Sequence, residues 1–327
     1  MRYREFGRLG WQIGEIGYGM WGVGGGPGGW TGSDDEVCRA SLQTAVDLGC
    51  TFFDTAWIYG RGHSELLLGE VVRANPQAHL YVATKIPPLD RRWPPAKGAP
   101  LADVFPDPHV DEYVGRSLDN LGLDRIDLLQ YHVWEDDWAD DAQWLRQVER
   151  LRSRPEIGGI GISINRWEPW NVLKALDTGL VDAVQVIYNI FDQAPEDELF
   201  GACQEAGVAV VARVPFDEGT LTGTLTTDTT WPEADWRASY FVPENLAASV
   251  QRAQRLAEVV PPSMTMPELA LRFILHHPAV STVIPGMRRL KHVHANTAVS
   301  DGEPLSQELL TRLREHRWDR VPTSWSQ

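Results

Sequence analysis

The chain has 327 residues, of which 43% are hydrophobic and 23% charged, the balance of an ordinary globular protein. Lysine and arginine number 30 against 45 aspartates and glutamates, and the formal net charge of −15 argues against a general nucleic-acid-binding role, which needs a basic surface. The N-terminus lacks the apolar core of a signal peptide and no window approaches the ~18 apolar residues of a membrane span, so we expect a soluble cytoplasmic protein with no membrane partner.

Eight short apolar segments lack polar alternation, which is typical of strands buried on both faces. In chain order they are residues 15–19, 51–55, 80–86, 126–133, 159–164, 183–189, 208–214 and 281–284. Helical patterns separate them at residues 34–48, 64–73, 110–121, 139–153, 168–178, 196–206 and 289–298, with another after Thr265. The repeated alternation predicts one (β/α)8 TIM barrel domain over residues 1–327, with an extra C-terminal helix near 306–316.

Two features refine this pattern. Ser33 with Glu36, and Thr265 with Glu268, have the spacing of helix capping boxes. The segments 87–108 and 216–236 are long, rich in proline or tryptophan, and each follows a strand. Because barrel enzymes keep their sites among the loops after strands, we expect these extended βα loops to cover a site.

The glycines of residues 17–22 match the pattern G-x-G-x-x-G, which in a dinucleotide-binding Rossmann unit opens a helix at once. Here the pattern runs into VGGGPGGWTG, which no helix tolerates. We therefore predict that these glycines let backbone lie close to a ligand or to a neighbouring loop.

Titratable side chains stand at the ends of three successive predicted strands. The second strand ends in Asp54, with Tyr59 in the loop after it, the third presents Lys85, and the fourth presents His132. The carboxyl ends of parallel barrel strands converge on one rim, so we expect these four groups to meet there.

Their chemistry is that of a proton donor. An isolated tyrosine has a pKa near 10, and a nearby ammonium lowers it. Lys85 can supply that charge, Asp54 can hold Lys85 in place, and Tyr59 then acts as a general acid. His132 can orient the same substrate oxygen. The set predicts protonation of a carbonyl oxygen as hydride reaches the carbon.

Three stretches, FDTAWIYGRGHSELLLGE from residue 53, VATKIP from residue 82 and DLLQYH from residue 127, resemble the signature segments of the aldo-keto reductases. The resemblance runs from residue 4 to about residue 300. It implies a (β/α)8 barrel that reduces a small aldehyde or ketone with NADPH, or runs the reverse oxidation. The family's catalytic Asp, Tyr, Lys and His match Asp54, Tyr59, Lys85 and His132.

The resemblance also implies a nicotinamide site. Ser163 and Gln185 match residues that hold the carboxamide, although the asparagine that accompanies the serine is displaced by one position, to Asn165. Arg213 stands where the family often has an aromatic that stacks on the nicotinamide. A guanidinium can also stack on a ring, so we predict that Arg213 packs against the cofactor. The alternative is a salt bridge to Asp217 or Glu218.

The eighth strand leads into IPGMRRLKHVHAN, which resembles the family's phosphate-binding turn and helix. Arg288 and Arg289 can grip a 2′-phosphate, which favours NADPH over NADH. The full set of cofactor contacts that the resemblance implies is Trp21, Asp54, Ser163, Gln185, Arg213, Pro215, Gly286, Arg288, Arg289, His292 and Asn296.

Trp21, Trp57 and Trp134 follow strands that carry the titratable groups, so we predict that they line an apolar substrate pocket. No metal site is predicted, because the histidine pairs lack partners at zinc-binding spacing. Two alternatives stay open: a lyase or aldolase that uses Lys85 as a Schiff-base nucleophile, and a non-catalytic NADPH-binding subunit of a larger assembly. The sequence leaves the oligomeric state unknown.

Overall fold

A parallel sheet of eight strands forms the centre of the computed structural model, which describes residues 1–26 and 29–326. An N-terminal hairpin of β1 (Tyr3–Phe6) and β2 (Trp11–Gly14) precedes it. The eight strands are β3 (Tyr18–Gly19), β4 (Phe52–Asp54), β5 (Tyr81–Ile86), β6 (Ile126–Tyr131), β7 (Ile157–Ser163), β8 (Ala183–Ile187), β9 (Ala209–Arg213) and β10 (Val280–Val283). Each strand pairs with the next in chain order.

Two parallel bridges, Ile16 to Val283 and Gly19 to Gly286, join the first strand of the sheet to the last and close the barrel. The approach at Gly19 is close, since a Cβ there would lie 2.5 Å from the carbonyl oxygen of Ile284. The predicted (β/α)8 fold and its eight strands are therefore confirmed. The glycine pattern serves close backbone packing, as predicted, and opens no Rossmann helix.

Helices surround the barrel. They are α1 (Trp21–Gly24), α2 (Asp35–Asp47), α3 (His63–Ala74), α4 (Leu101–Val104), α5 (Asp107–Leu121), α6 (Ala142–Arg152), α7 (Leu173–Asp177), α8 (Leu199–Ala206), α9 (Trp236–Tyr240), α10 (Pro243–Ala257), α11 (Met266–His276), α12 (Leu290–Ala298) and α13 (Gln307–Arg314). Helix α13 is the extra C-terminal helix that the sequence predicted.

The structure corrects two expectations about the elements and adds a helix that was not predicted. The cap of α2 is Asp34, whose carboxylate accepts from the backbone N–H of Val37, so Ser33 is not the capping residue. Thr265 does cap α11, by accepting from the N–H of Glu268. The helix predicted at 168–178 is only α7, and α10 was missed because it lies outside the strand–helix alternation on which the prediction was based.

The hairpin β1–β2 was also missed, because two four-residue strands carry too little pattern to stand out. It covers the N-terminal end of the barrel. The ring of Phe6 lies 5.4 Å from that of Phe52, and Trp11 stacks on Tyr81 at 4.8 Å. With that end filled by aromatic packing, the opposite end of the barrel is left to hold a site.

Candidate active site

Residues two apart along a barrel strand face the interior together. An apolar inner cluster includes Phe52, Ala83, Leu128 and Ala183. Two residues further along the same strands, toward their carboxyl ends, stand the buried polar residues Asp54, Lys85, Gln130 and Gln185. The strand period thus carries Asp54 and Lys85 to one interior layer, directly above an apolar floor.

Asp54 and Lys85 form a buried ion pair. The Lys85 ammonium donates to one carboxylate oxygen of Asp54 at 2.6 Å and to the backbone carbonyl of Thr55 at 2.7 Å. Lys85 is 1% exposed and Asp54 2% exposed. A buried charge needs such a partner, and the geometry places the predicted pair in direct contact.

The other carboxylate oxygen of Asp54 accepts two side-chain amides, from Gln185 at 2.7 Å and from Gln130 at 3.1 Å. The resemblance assigned Gln185 to the cofactor amide, and in this structure its Nε2 donates to Asp54 while its side chain lines the cavity. Gln130 was not predicted at all. Its position two residues after Leu128 on an inward-facing register was the signal that could have identified it.

Tyr59 lies above this pair, with its hydroxyl 3.4 Å from the Lys85 nitrogen. Its loop packs against the glycine-rich segment, where a Cβ on Gly24 would stand 2.5 Å from the backbone of Tyr59. Lys85 lowers the pKa of Tyr59, as predicted, but burial outweighs that effect and the net pKa lies above 10. Tyr59 therefore keeps its proton across neutral pH.

His132 completes the group. Its ring meets that of Tyr59 edge-on at 5.9 Å and that of Trp93 at 5.6 Å. Burial, then the charges of Lys85 and Arg213, hold the pKa of His132 well below 6.5, so the ring is neutral. Its Nδ1 has no partner among the described residues. A neutral imidazole can donate one hydrogen bond to a substrate oxygen.

These groups border a cavity of about 330 Å³. Its walls are Trp21, Ile58, Tyr59, Trp93, Pro94, His132, Ser163, Ile164, Asn165, Arg166, Gln185, Arg213, Trp236 and Ser326. A larger cavity of about 400 Å³, beside Trp231 and α10, has no titratable group among the described residues that line it. Chemistry rather than size therefore identifies the first cavity as the candidate active site.

Of the three tryptophans predicted to line the pocket, only Trp21 does so. Trp134 is fully buried and packs against Trp138 and Trp144, at 5.5 and 5.0 Å between ring centroids. Trp57 packs edge-on against Tyr113 at 4.8 Å. Trp57 and Trp134 follow strands that carry the titratable groups, but their side chains face the helical layer and do not reach the cavity.

Trp93 and Trp236 line the cavity in place of Trp57 and Trp134. Both come from the extended loops that were predicted to cover the site. Trp236 meets Trp21 at 4.9 Å. Arg166, on the loop after β7, was also missed. Nothing in the local pattern separates these residues from other loop side chains, since the path of a long loop is set by tertiary contacts.

Arg213 stands at the end of β9 and lines the cavity. Its Nη2 donates to the carbonyl of Ile164 at 2.9 Å, and its Nε is buried without a partner among the described residues. The alternative salt bridge is not formed, because Asp217 pairs with Arg320 and Glu218 pairs with Arg166. Ser163 also lines the cavity.

Asn165, the displaced asparagine, borders the cavity but also fixes the loop after β6. Its side chain accepts from the backbone N–H of Trp134 at 3.2 Å and donates to the carbonyl of the same residue at 2.7 Å. This pair of bonds ties the end of β7 to the loop that follows His132.

The turn after β10 is only partly committed to protein contacts. A Cβ on Gly286 would meet nothing within 4 Å, so its surroundings are open. Arg288 donates to the carbonyls of Gly22 at 3.2 Å and Thr31 at 2.9 Å. Arg289, at the start of α12, is exposed. Asn296 is buried, with its Nδ2 unpaired among the described residues.

Two other predicted cofactor residues lie apart from the cavity wall. His292 is exposed on α12, where partial burial and the neighbouring cations Lys291 and Arg289 lower its pKa. Pro215 is buried just after Arg213 and is not among the residues that line the cavity. The structure thus brings the four titratable residues together and spreads the cofactor residues along the rim toward β10.

Comparison with known proteins gives one family. Residues 15–317 match the model of the aldo/keto reductase family. The chain is 28% identical over 316 residues to the NADH-specific methylglyoxal reductase of Escherichia coli, covering 93% of this chain and 94% of that one. It is 27% identical over 272 residues to an aldo-keto reductase of Schizosaccharomyces pombe whose name specifies NADP(+), covering 81% and 78% of the two chains.

The fold agrees with the same family. The holo form of an aldo-keto reductase from Bacillus halodurans superimposes with a TM-score of 0.77 and 25% identity, over 100% of both chains. In the residues that the structure describes, no helix is both long and apolar enough to cross a bilayer.

Proposed function

The chain belongs to the aldo/keto reductase family, and on that premise we propose that it reduces a small aldehyde or ketone to the alcohol, or runs the reverse oxidation, with a nicotinamide cofactor and with Tyr59 as the proton donor. The observation that carries this proposal is the contact of Tyr59 with Lys85, at 3.4 Å in the wall of the cavity, beside a neutral His132.

The nicotinamide cofactor, when bound, supplies the hydride. The chain's own residues perform the rest. Tyr59 is protonated, half-buried and placed in the cavity wall, where it can donate its proton to a carbonyl oxygen. His132 donates a second hydrogen bond to that oxygen, and Lys85 stabilises the charge that develops on Tyr59 as the proton leaves. Asp54 keeps Lys85 in place.

The rim from β7 to β10 fits a dinucleotide. Ser163 and Gln185 line the cavity at one end, and Gly286 leaves open space at the other. Arg213 lies between them as a cation without an acidic partner, and the buried amide of Asn296 lacks a partner among the described residues. Buried polar atoms are rarely left unpaired unless a ligand or water satisfies them.

We propose NADPH rather than NADH, because Arg289 is exposed beside the turn after β10 and can pair with a 2′-phosphate. The relatives include both preferences: the E. coli enzyme is named as NADH-specific and the S. pombe enzyme carries NADP(+) in its name. The choice therefore depends on this chain's own arginines.

The two alternatives are less well supported. Lys85 already donates to Asp54 and Thr55, and an ion-paired ammonium is not a free nucleophile for a Schiff base. Borohydride trapping of a carbonyl compound on Lys85 would revive the lyase. A non-catalytic subunit would not require the contact between Tyr59 and Lys85, so the presence of this contact favours an enzyme. Tight NADPH binding without turnover of any carbonyl compound would favour that alternative.

The test of the proposed function is the oxidation of NADPH and of NADH, followed at 340 nm, with a panel of small aldehydes and ketones. We expect turnover of at least one aldehyde and a higher kcat/KM for NADPH than for NADH. Turnover with NADH alone would overturn the cofactor assignment but leave the reductase proposal intact. No turnover with either cofactor would count against the reductase itself.

Arg213→Ala is expected to weaken NADPH binding about tenfold, because it removes a guanidinium that has no acidic partner and lies between the nicotinamide and phosphate ends of the rim. The measurement is the NADPH dissociation constant from quenching of tryptophan fluorescence. Arg92→Ala, an exposed arginine in the loop after β5, is the control. An unchanged dissociation constant in Arg213→Ala would remove Arg213 from the cofactor site.

The pH dependence of reduction should be flat near neutrality. The pKa of Tyr59 is raised above 10 by burial and that of His132 is lowered well below 6.5, so neither group changes protonation between pH 7 and pH 9. We expect kcat with saturating cofactor and aldehyde to vary less than about twofold over that range. A tenfold fall in kcat per pH unit within it would contradict these protonation states.

A further inference from the structure

The cavity carries positive charge in a strongly negative protein. Two guanidiniums, those of Arg166 and Arg213, stand in its wall, and one buried carboxylate, that of Glu218, pairs with Arg166. Tyr59 and His132 are neutral, and Asp54 and Lys85 balance each other. The one cation of the wall without an acidic partner is therefore Arg213, whereas the charge of Arg166 is balanced by Glu218.

Arg213 is accounted for by the cofactor path, because β9 lies between β8, which carries Gln185, and β10, which leads to Gly286. Arg166 lies elsewhere. It follows β7, the neighbour of the strand that precedes His132, and β7 is three strands from β10 in the barrel. Arg166 thus lines the same cavity as Tyr59 and His132, and its own contacts with Glu218 and Trp236 come from the segment after β9.

Arg166 is held rigidly. Its guanidinium lies 5.3 Å from the ring of Trp236 and 5.1 Å from that of Tyr240, and its side chain is only 10% exposed. One nitrogen donates to Glu218 at 2.7 Å, and no other protein acceptor contacts the guanidinium among the described residues. A guanidinium has five N–H donors, so most of its capacity faces no protein partner.

We propose that this reductase prefers carbonyl substrates that also carry a carboxylate, and that Arg166 binds the carboxylate while Tyr59 and His132 hold the carbonyl oxygen. This inference rests on the proposed reductase function. A planar, stacked guanidinium is suited to a carboxylate because it can form two parallel hydrogen bonds to it. The cavity of about 330 Å³ confines the substrate to a small oxo acid.

The test compares aldehydes that differ only in the carboxylate: 4-oxobutanoate with butanal, and 5-oxopentanoate with pentanal. In the wild type we expect kcat/KM to favour the charged member of at least one pair by about 10- to 100-fold, the size of a hydrogen-bonded charge contact. In the double variant Arg166→Gln/Glu218→Gln the ratio should fall to near one. The double variant is used because Arg166→Gln alone leaves Glu218 buried without its partner.

A binding measurement separates this inference from the reductase proposal. Isothermal titration calorimetry with succinate, which has no carbonyl group to reduce, should show binding to the wild type with NADP⁺ present and at least tenfold weaker binding to the double variant. Arg166→Lys, which keeps the charge but loses the paired donors, should fall between them. Circular dichroism checks that each variant is folded.

Three results would overturn the inference. The first is a ratio near one in the wild type while both aldehydes are reduced. The second is the same ratio in the wild type and the double variant. The third is a weaker affinity of the double variant for NADPH with its substrate ratio unchanged, which would assign Arg166 to the cofactor phosphates. If none of the four aldehydes is reduced, turnover of the wider panel of carbonyl compounds decides the reductase proposal, and the succinate titration decides whether the cavity binds a carboxylate.

Discussion

Tyr59→Phe is expected to lower kcat for aldehyde reduction by about 10²- to 10⁴-fold, the contribution of a positioned general acid. The substitution removes one oxygen atom and leaves the ring that packs near Trp21 at 6.4 Å and His132 at 5.9 Å. Without the hydroxyl the carbonyl oxygen loses its proposed proton donor, because a neutral His132 can hydrogen-bond to that oxygen but is a very weak acid.

The measurement is steady-state turnover at 340 nm together with the NADPH dissociation constant. The constant should stay within about twofold of the wild-type value, because the one hydrogen bond of the hydroxyl among the described residues is the 3.4 Å contact to Lys85. Tyr3→Phe is the matched control, since that tyrosine lies half exposed on the N-terminal hairpin and its hydroxyl donates to the carbonyl of Gly49. Equal turnover in the wild type and Tyr59→Phe would show that another group donates the proton.

Lys85→Met is expected to abolish turnover to a similar degree and, in addition, to destabilise the fold. The variant leaves the carboxylate of Asp54, which is 2% exposed, without its ion-pair partner. Among the described residues, the amides of Gln130 and Gln185 are then its remaining side-chain donors. Breaking a buried pair in this way costs about 3–5 kcal/mol of unfolding free energy. Turnover is lost because the charge that stabilises the ionised Tyr59 is gone.

Stability and catalysis can be separated with the double variant Asp54→Asn/Lys85→Met, which has neither charge and keeps an oxygen for the two glutamine amides. Urea unfolding should show most of the lost stability restored, while turnover stays low. A double variant that recovers both would mean that the pair serves the fold alone. A single variant Lys85→Met with turnover within tenfold of the wild type would remove Lys85 from the proposed mechanism.

The strands and the four titratable residues could be predicted from the sequence because both depend on short-range rules. Buried parallel strands appear as apolar runs, and their carboxyl ends meet at one rim whatever the details of the loops. Asp54, Lys85 and His132 stand on or directly after such strands, so the fold alone brings them together. Alternate residues of a strand face the same side, so the position of Gln130 two residues after the inward-facing Leu128 would also have identified it.

The cavity wall could not be predicted in the same way. Trp93, Arg166 and Trp236 lie in loops whose paths depend on contacts with distant segments, such as the bond from the N–H of Trp236 to the carbonyl of Gly29. Trp134 lies two residues after His132 in the sequence, but its side chain faces the helices. The direction in which the pKa of Tyr59 shifts depends on how deeply the side chain is buried, and the sequence alone does not give that burial.

The central claim is that this chain catalyses hydride transfer between a nicotinamide and a carbonyl carbon. The most direct test uses NADPH deuterated at both C4 positions and the aldehyde that the wild type reduces fastest, with the product alcohol analysed by mass spectrometry and NMR. The account predicts one deuterium on the carbinol carbon of each alcohol formed. Alcohol without deuterium at that carbon, or cofactor consumed without alcohol, would contradict it.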